Sequence, residues 1–133
     1  MNIESVRSAV LGLALLSSPS VLADWSCSND FESSCSGDGC VLLQGEDFTP
    51  LSISVSDAGE LTVCAYTGCW QGQGRVLARS PFLVVLGEQL EWNHPGQDNP
   101  VDLLLSINLV KSTGALSSPH FDQPLYCKGR PGP

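Results

Sequence analysis

Apolar and polar residues alternate along two neighbouring stretches of the chain. Every second residue is apolar over 51–55 and again over 61–65, and Asp57-Ala58-Gly59 lies between the two stretches. A period of two places all the apolar side chains on one face of an extended segment. Asp and Gly favour tight turns, so the pattern predicts a β-hairpin.

The same period recurs over 101–110, where helical spacing would spread the apolar residues around the whole helix. Shorter apolar runs predict further strands at 41–43, 75–79, 82–86, 90–92, 115–116 and 125–127, with a turn at Gly87-Glu88-Gln89. Strands spaced by roughly ten residues are typical of sandwiches and barrels. The expected fold is all-β: one small antiparallel β-barrel or β-sandwich of about seven or eight short strands. The pattern leaves the choice between barrel and sandwich open.

The first 23 residues are expected to be a signal peptide. Their apolar run, 9–16, is far shorter than the ~20 residues that span a bilayer. Small or moderate residues at 21–23 predict cleavage after Ala23, which gives a secreted or periplasmic product. Residues 24–133 are then a single domain, in which 24–40 form an N-terminal stapled loop region without apolar periodicity and 128–133 form a flexible tail.

The domain holds an even number of cysteines: Cys27, Cys35, Cys40, Cys64, Cys69 and Cys127. In an exported chain of this size they predict three disulfides, although six cysteines allow fifteen pairings. A local Cys64–Cys69 bridge is geometrically possible, and Cys127 is expected to tie the C-terminus to the N-terminal loop or a central strand. A four-cysteine zinc site is the alternative, but the paired cysteines are separated by four residues, whereas zinc ribbons use two.

The charge balance restricts the possible partners. After removal of 1–23 the domain carries 13 acidic and five basic residues, a net charge of −8. Such a surface repels nucleic-acid phosphates and anionic lipids and favours approach by cationic partners. No cofactor, metal site, nucleic acid or membrane span is predicted.

Candidate catalytic groups are few. Ser117, Ser118, His120 and Asp122 are the residue types of a hydrolytic triad, but no G-x-S-x-G elbow supports them. Neighbouring acidic residues elsewhere give no sign of two carboxyls facing each other across a cleft, as a glycosidase requires. The chain is therefore predicted not to be an enzyme.

The most unusual local sequence is 68–74, in which three glycines surround Cys69 and Trp70. The glycines predict a bend or a close backbone approach. Tryptophan is enriched at binding hot spots, so Trp70, Gln71, Trp92 and His94 are the candidate binding residues. Large aromatic residues also dominate small β-cores, and at least two of the three tryptophans are expected to pack there.

These observations together predict an exported, non-enzymatic binding protein for a protein or envelope component, a cationic one being compatible with the acidity. A carrier that holds a small apolar ligand in the barrel interior is the alternative, and a hydrolase comes third. The size, export, acidity and predicted β-structure are broadly similar to those of small periplasmic lysozyme-inhibitor barrels, a similarity at the level of the fold.

Overall fold

The computed structural model describes residues 24–94 and 99–130, together with residue 12. Apart from residue 12, the predicted signal peptide 1–23 lies outside this part of the chain, and so do residues 131–133 of the predicted tail. Lys128 and Gly129, which were assigned to that tail, belong to the last strand. The described part contains one short 3-10 helix, Gly45–Asp47, and eleven strands. The strands are β1 (Trp25–Ser28), β2 (Glu32–Ser36), β3 (Gly39–Leu43), β4 (Ser52–Val55), β5 (Glu60–Cys64), β6 (Cys69–Gln73), β7 (Arg75–Ala78), β8 (Phe82–Trp92), β9 (Val101–Asn108), β10 (Thr113–Ser117) and β11 (Asp122–Gly129).

Eight of the strands form a closed antiparallel barrel, in the order β1-β4-β5-β6-β8-β9-β10-β11, with β11 pairing back to β1. The predicted all-β class is confirmed, and the architecture is a barrel rather than a sandwich. Two additions lie outside this ring. The β2–β3 hairpin is inserted between β1 and β4 and contacts β11 through the pair Ser33 and Asp122. Strand β7 follows β6 in the chain and pairs with β8.

The barrel strands are strongly tilted. Following paired residues from Phe82, at the start of β8, leads around the ring through Tyr126 and Ser52 to Cys69. Cys69 lies beside Asn93, which follows the last residue of β8, because the Asn93 N–H donates to the Cys69 carbonyl at 2.9 Å. One circuit therefore climbs the whole length of β8, as closure of a small barrel requires.

The predicted turn at Gly87-Glu88-Gln89 is wrong, because β8 runs through it. The register with β9 shifts there, which marks a β-bulge. Gln89 has a φ of 52°, and its N–H donates to the Asp102 carboxylate at 2.8 Å. This hydrogen bond holds the extra residue in a left-handed conformation without ending the strand.

The alternating residues predicted to face a core do so. Ile53 and Val55 on β4, Leu61 and Val63 on β5 and the odd-numbered residues 103–107 of β9 are all buried. Their polar neighbours point outward, since successive side chains on a strand alternate between faces. Inward-facing side chains from the eight strands thus form one continuous core inside the ring.

The N-terminal segment 24–40 is more regular than its sequence predicts. It contains β1, β2 and the beginning of β3, whereas the composition predicted a loop without strands. Most residues of the β2–β3 hairpin are exposed, so neither face needs apolar residues and no period of two appears. Solvent on both faces therefore removed the signal on which the prediction depended.

All six cysteines form disulfides, which fit an oxidising compartment and exclude the zinc alternative. Each bond joins residues directly opposite each other on adjacent strands: Cys27–Cys127 on β1 and β11, Cys35–Cys40 on β2 and β3, and Cys64–Cys69 on β5 and β6. The predicted local Cys64–Cys69 bridge is confirmed. The partner of Cys127 is Cys27 on the first strand, and this buried bond closes the barrel seam.

Candidate functional site

The two ends of the barrel are built from different connections. At one end, here called the hairpin end, lie the β1–β4 connection with its β2–β3 hairpin and the β5–β6, β8–β9 and β10–β11 connections. At the opposite end lie the β4–β5, β6–β8 and β9–β10 connections, together with Asp24 and Arg130, where the described domain begins and ends. This division follows from the up-and-down order of the strands.

The charges follow the same division. Residues 24–74 contain eight acidic residues and no lysine or arginine, whereas residues 75–130 contain five of each. In the described part of the chain, every lysine and arginine lies toward the opposite end: Arg75, Arg79, Lys111, Lys128 and Arg130. The carboxylates at the hairpin end are Asp30, Glu32, Asp38, Glu46, Asp47 and Asp122. Asp24, Asp57 and Glu60 lie at the opposite end, so the hairpin end is acidic and the opposite end carries charges of both signs.

A buried asparagine holds the hairpin end together. Asn29 is 5 % exposed, and its Oδ1 accepts a hydrogen bond from the Leu51 N–H at 2.7 Å. Its Nδ2 donates to the Thr49 carbonyl at 3.0 Å and to Gln123 Oε1 at 3.2 Å. Asn29 therefore links the beginning of the β1–β4 connection to its end and to β11. The buried polar groups that it contacts have hydrogen-bond partners.

A small pocket of about 200 Å³ opens at the hairpin end. Its apolar lining comes from Leu51, Ala65, Trp70 and Phe121, and its polar lining from Glu32, Thr49 and Gln123. The Thr49 N–H donates to the Glu32 carboxylate at 3.5 Å, a long contact between two residues that line the pocket. We call this cavity the end pocket. It combines two aromatic side chains with one carboxylate and contains no basic group.

Trp70 and Trp92 face each other across β6 and β8, with ring centroids 4.6 Å apart and planes inclined by 57°. A Cβ atom at position 68 would lie 2.8 Å from the Trp92 ring, so Gly68 is needed for this packing. At the C-terminal end of the glycine-rich segment 68–74, a Cβ atom at Gly74 would lie 2.5 Å from Val85. The predicted close backbone approach is confirmed.

The two indole groups carry an energetic cost. Both Nε1 atoms are buried and have no hydrogen-bond partner in residues 24–94 and 99–130. A buried donor without a partner costs about 1–3 kcal/mol. The aromatic contact between the two rings stabilises the fold by about 0.5–1.5 kcal/mol. Burial of the apolar ring surface must offset the rest of the cost of the unpaired N–H groups.

A second, larger cleft of about 460 Å³ lies over β5, β6 and β8. It is lined mainly by polar side chains, including Glu60, Thr62, Gln71 and Glu91, and by Trp92. We call it the outer cleft. The Thr62, Gln71 and Glu91 positions lie side by side across the three strands, so their side chains share the outward face.

The candidate binding residues divide between two cavities, although the Trp70 and Trp92 rings contact each other. Trp70 lines the end pocket, whereas Gln71 and Trp92 line the outer cleft. His94 follows β8 and adjoins residues 95–98, which lie outside the described part of the chain. Sequence reasoning also missed Glu32 and Phe121, which the fold brings to Trp70 from distant positions. Only the absence of lysine and arginine from residues 24–74 was available as a signal for the acidic end.

Ser118 and His120, two of the residues considered for hydrolysis, lie in a turn. The Ser118 hydroxyl accepts hydrogen bonds from the N–H groups of His120 and Phe121, at 3.0 and 3.1 Å. Such contacts are those of a side-chain-stabilised turn, here between β10 and β11. No group of three metal-binding side chains occurs in the described residues. No helix within the same residues is long and apolar enough to cross a membrane.

The chain matches no protein-family model, no curated protein and no solved structure. The geometry and charge of the site are therefore the basis for any function, because fold alone does not determine function.

Proposed function

We propose that this protein is an exported, non-enzymatic binding domain that recognises a cationic protein through the hairpin end of its barrel. The observation that carries the proposal is the separation of charge along the barrel, with six carboxylates at the hairpin end and all described lysines and arginines toward the other. Carboxylates such as Asp24, Asp57 and Glu60 lie at the opposite end as well, but among the described residues only the hairpin end has no lysine or arginine to offset them.

The length of the barrel separates the carboxylates at the hairpin end from the lysines and arginines toward the opposite end. Strands β9 and β11 each have eight residues, and at about 3.3 Å per residue and a tilt of about 40° they span about 20 Å along the barrel axis. The Debye length at physiological ionic strength is only about 8 Å. A partner at the hairpin end therefore experiences the six carboxylates with little compensation from the cations.

The carrier alternative has less support. Val55, Val63, Val85, Leu103 and Ile107 have no exposed surface, and other apolar side chains join them in the core. The two largest cavities described above lie at the end and on the outer face of the barrel. A ligand inside the ring would have to displace this core.

The proposal is tested by measuring the affinity of the purified protein for secreted basic proteins and for acidic proteins of matched size, at roughly 0.05 and 0.3 M salt. We expect binding of basic proteins only, weakened by salt mainly through a slower association rate. Failure to bind any basic protein at low salt would contradict the proposal.

Two matched variants locate the interaction. Neutralising three hairpin-end carboxylates (Asp38→Asn, Glu46→Gln, Asp47→Asn) raises the net charge as much as neutralising three carboxylates elsewhere (Asp57→Asn, Glu60→Gln, Glu88→Gln). The first variant should lose most of the salt-sensitive affinity and the second should retain it. Equal losses would show that net charge, rather than the hairpin end, governs binding.

A further inference from the structure

The end pocket offers a cation three complementary features. Trp70 and Phe121 supply aromatic rings, Glu32 supplies a carboxylate, and no lysine or arginine lines the pocket. Aromatic rings attract cations through their quadrupole, and arginine in particular stacks on them while pairing with carboxylates. The carboxylate and the rings therefore favour the same occupant.

The volume of the end pocket restricts what that occupant is. Pockets for whole small molecules have volumes of about 300–1,000 Å³, whereas the end pocket has about 200 Å³. One long side chain is a better match than a complete ligand. Side chains that fill pockets near the centre of an interface, arginine among them, are the usual anchors of protein complexes.

The sequence explains why the pocket exists only in the folded barrel. Glu32 is the first residue of the β2–β3 hairpin, the half-buried Trp70 is the second residue of β6, and Phe121 precedes β11. The single bridge between Ser33 and Asp122 places the hairpin against the β10–β11 connection, which brings Glu32 beside Phe121. The pocket is thus a consequence of how the hairpin attaches to the ring.

We propose that the end pocket binds one arginine or lysine side chain of the cationic partner, held between Trp70 and Phe121 with its charge at Glu32. This inference rests on the proposed function, because it names the anchor through which the acidic end holds its partner. The alkyl part of the side chain replaces water against Leu51 and Ala65, and the charged group remains at the rim.

The experiment titrates the isotopically labelled protein with short homopolymeric peptides of arginine, lysine and citrulline, and follows the indole N–H signals by NMR. Citrulline has nearly the shape of arginine but no charge. Trp25 packs against Gly129 at the opposite end and serves as an internal control. We expect the arginine peptide to shift the Trp70 signal, assigned with Trp70→Phe, and to leave the Trp25 signal unchanged. A similar response to lysine supports a general cation site, and an equal response to citrulline would overturn the proposal.

Two variants separate the pocket from general acidity. Glu32→Gln keeps an acceptor for the Thr49 N–H but removes the charge, and should weaken peptide binding about fivefold. Glu60→Gln makes the same change in net charge in the outer cleft and should leave the affinity within about twofold. Phe121→Leu preserves an apolar side chain without the ring and should weaken binding about threefold, with thermal unfolding as the check on folding.

The outcomes distinguish this inference from the proposed function. If cationic peptides bind but Glu60→Gln weakens them more than Glu32→Gln, the outer cleft is the anchor and the end-pocket proposal is wrong, while the cationic partner stands. If neither cationic peptide nor basic protein binds the unmodified protein, both proposals fail.

Discussion

The seam disulfide Cys27–Cys127 should contribute more stability than either of the other two bonds. It joins the first and last strands of the barrel, with a sequence separation of 100, and both cysteines are at most 4 % exposed. The perturbation is the double variant Cys27→Ala/Cys127→Ala, which leaves no free thiol and buries no hydroxyl group. The comparison is Cys64→Ala/Cys69→Ala, which opens a bond of sequence separation 5.

The stability lost on removing each disulfide depends on the length of the loop that the bond closes in the unfolded chain. In the chain-entropy treatment, a loop of 100 residues corresponds to about 4.7 kcal/mol and a loop of five residues to about 2 kcal/mol. Because small domains are stable by only about 5–15 kcal/mol, opening the seam removes a large part of the total. For a domain of this size the melting temperature should fall by about 20 °C, against about 8 °C for the comparison variant.

The assay is denaturant unfolding of each variant, followed by tryptophan fluorescence and far-ultraviolet circular dichroism and extrapolated linearly to water. The slope of the free energy with denaturant should rise for the seam variant, since its unfolded chain is less constrained. A seam variant no less stable than the Cys64/Cys69 variant would refute the reasoning, because the closed ring would then hold its seam without the covalent link.

Three further substitutions test the packing. Asn29→Ala removes three hydrogen bonds and should lower the free energy of unfolding by about 2–4 kcal/mol; a loss under 1 kcal/mol in chemical denaturation would contradict the buried network. Gly74→Ala places a Cβ atom 2.5 Å from Val85 and should cost about 1–3 kcal/mol, whereas an unchanged denaturation midpoint would show that β6 and β8 separate easily. Trp92→Phe removes a buried donor that has no partner among the described residues and should cost less than about 1 kcal/mol, so a loss above 3 kcal/mol in the same assay would mean that its N–H is satisfied.

The fold was predictable where one face of a strand meets the core. The alternation over 51–55 and 61–65 marks β4 and β5 because their inner residues, such as Val55 and Val63, are wholly buried. The β2–β3 hairpin gave no such signal because it is largely exposed on both faces. Its sequence marks were the short apolar run 41–43, which predicted part of β3, and the two cysteines that close it, and spacing alone does not determine disulfide pairing.

Closure of the barrel could not be read from local patterns. It depends on the pairing of β1 with β11, which lie about 100 residues apart along the chain. A sandwich of similar strands would show the same alternation, since both architectures bury one face of each strand. The bulge at Gln89 was mistaken for a turn because Gly, Glu and Gln interrupt the apolar pattern in either case.

The candidate site was predictable only in part. Trp70 was identified from its glycine-rich surroundings, and it does line a pocket. Glu32 and Phe121 are separated from it by 38 and 51 positions and have no local motif, so only the fold shows that the three lie together. The acidic stretch before Arg75 was visible, but its separation from the cations required the strand order.

The most direct test of the account is a map of backbone amide NMR signals of the protein during titration with a basic protein that it binds. We expect the shifted signals to cluster at the hairpin end, in residues 29–49 and 118–123, while those in 109–113 and 128–130 stay in place. Shifts spread evenly over the barrel, or concentrated at the end that carries the lysines and arginines, would contradict it.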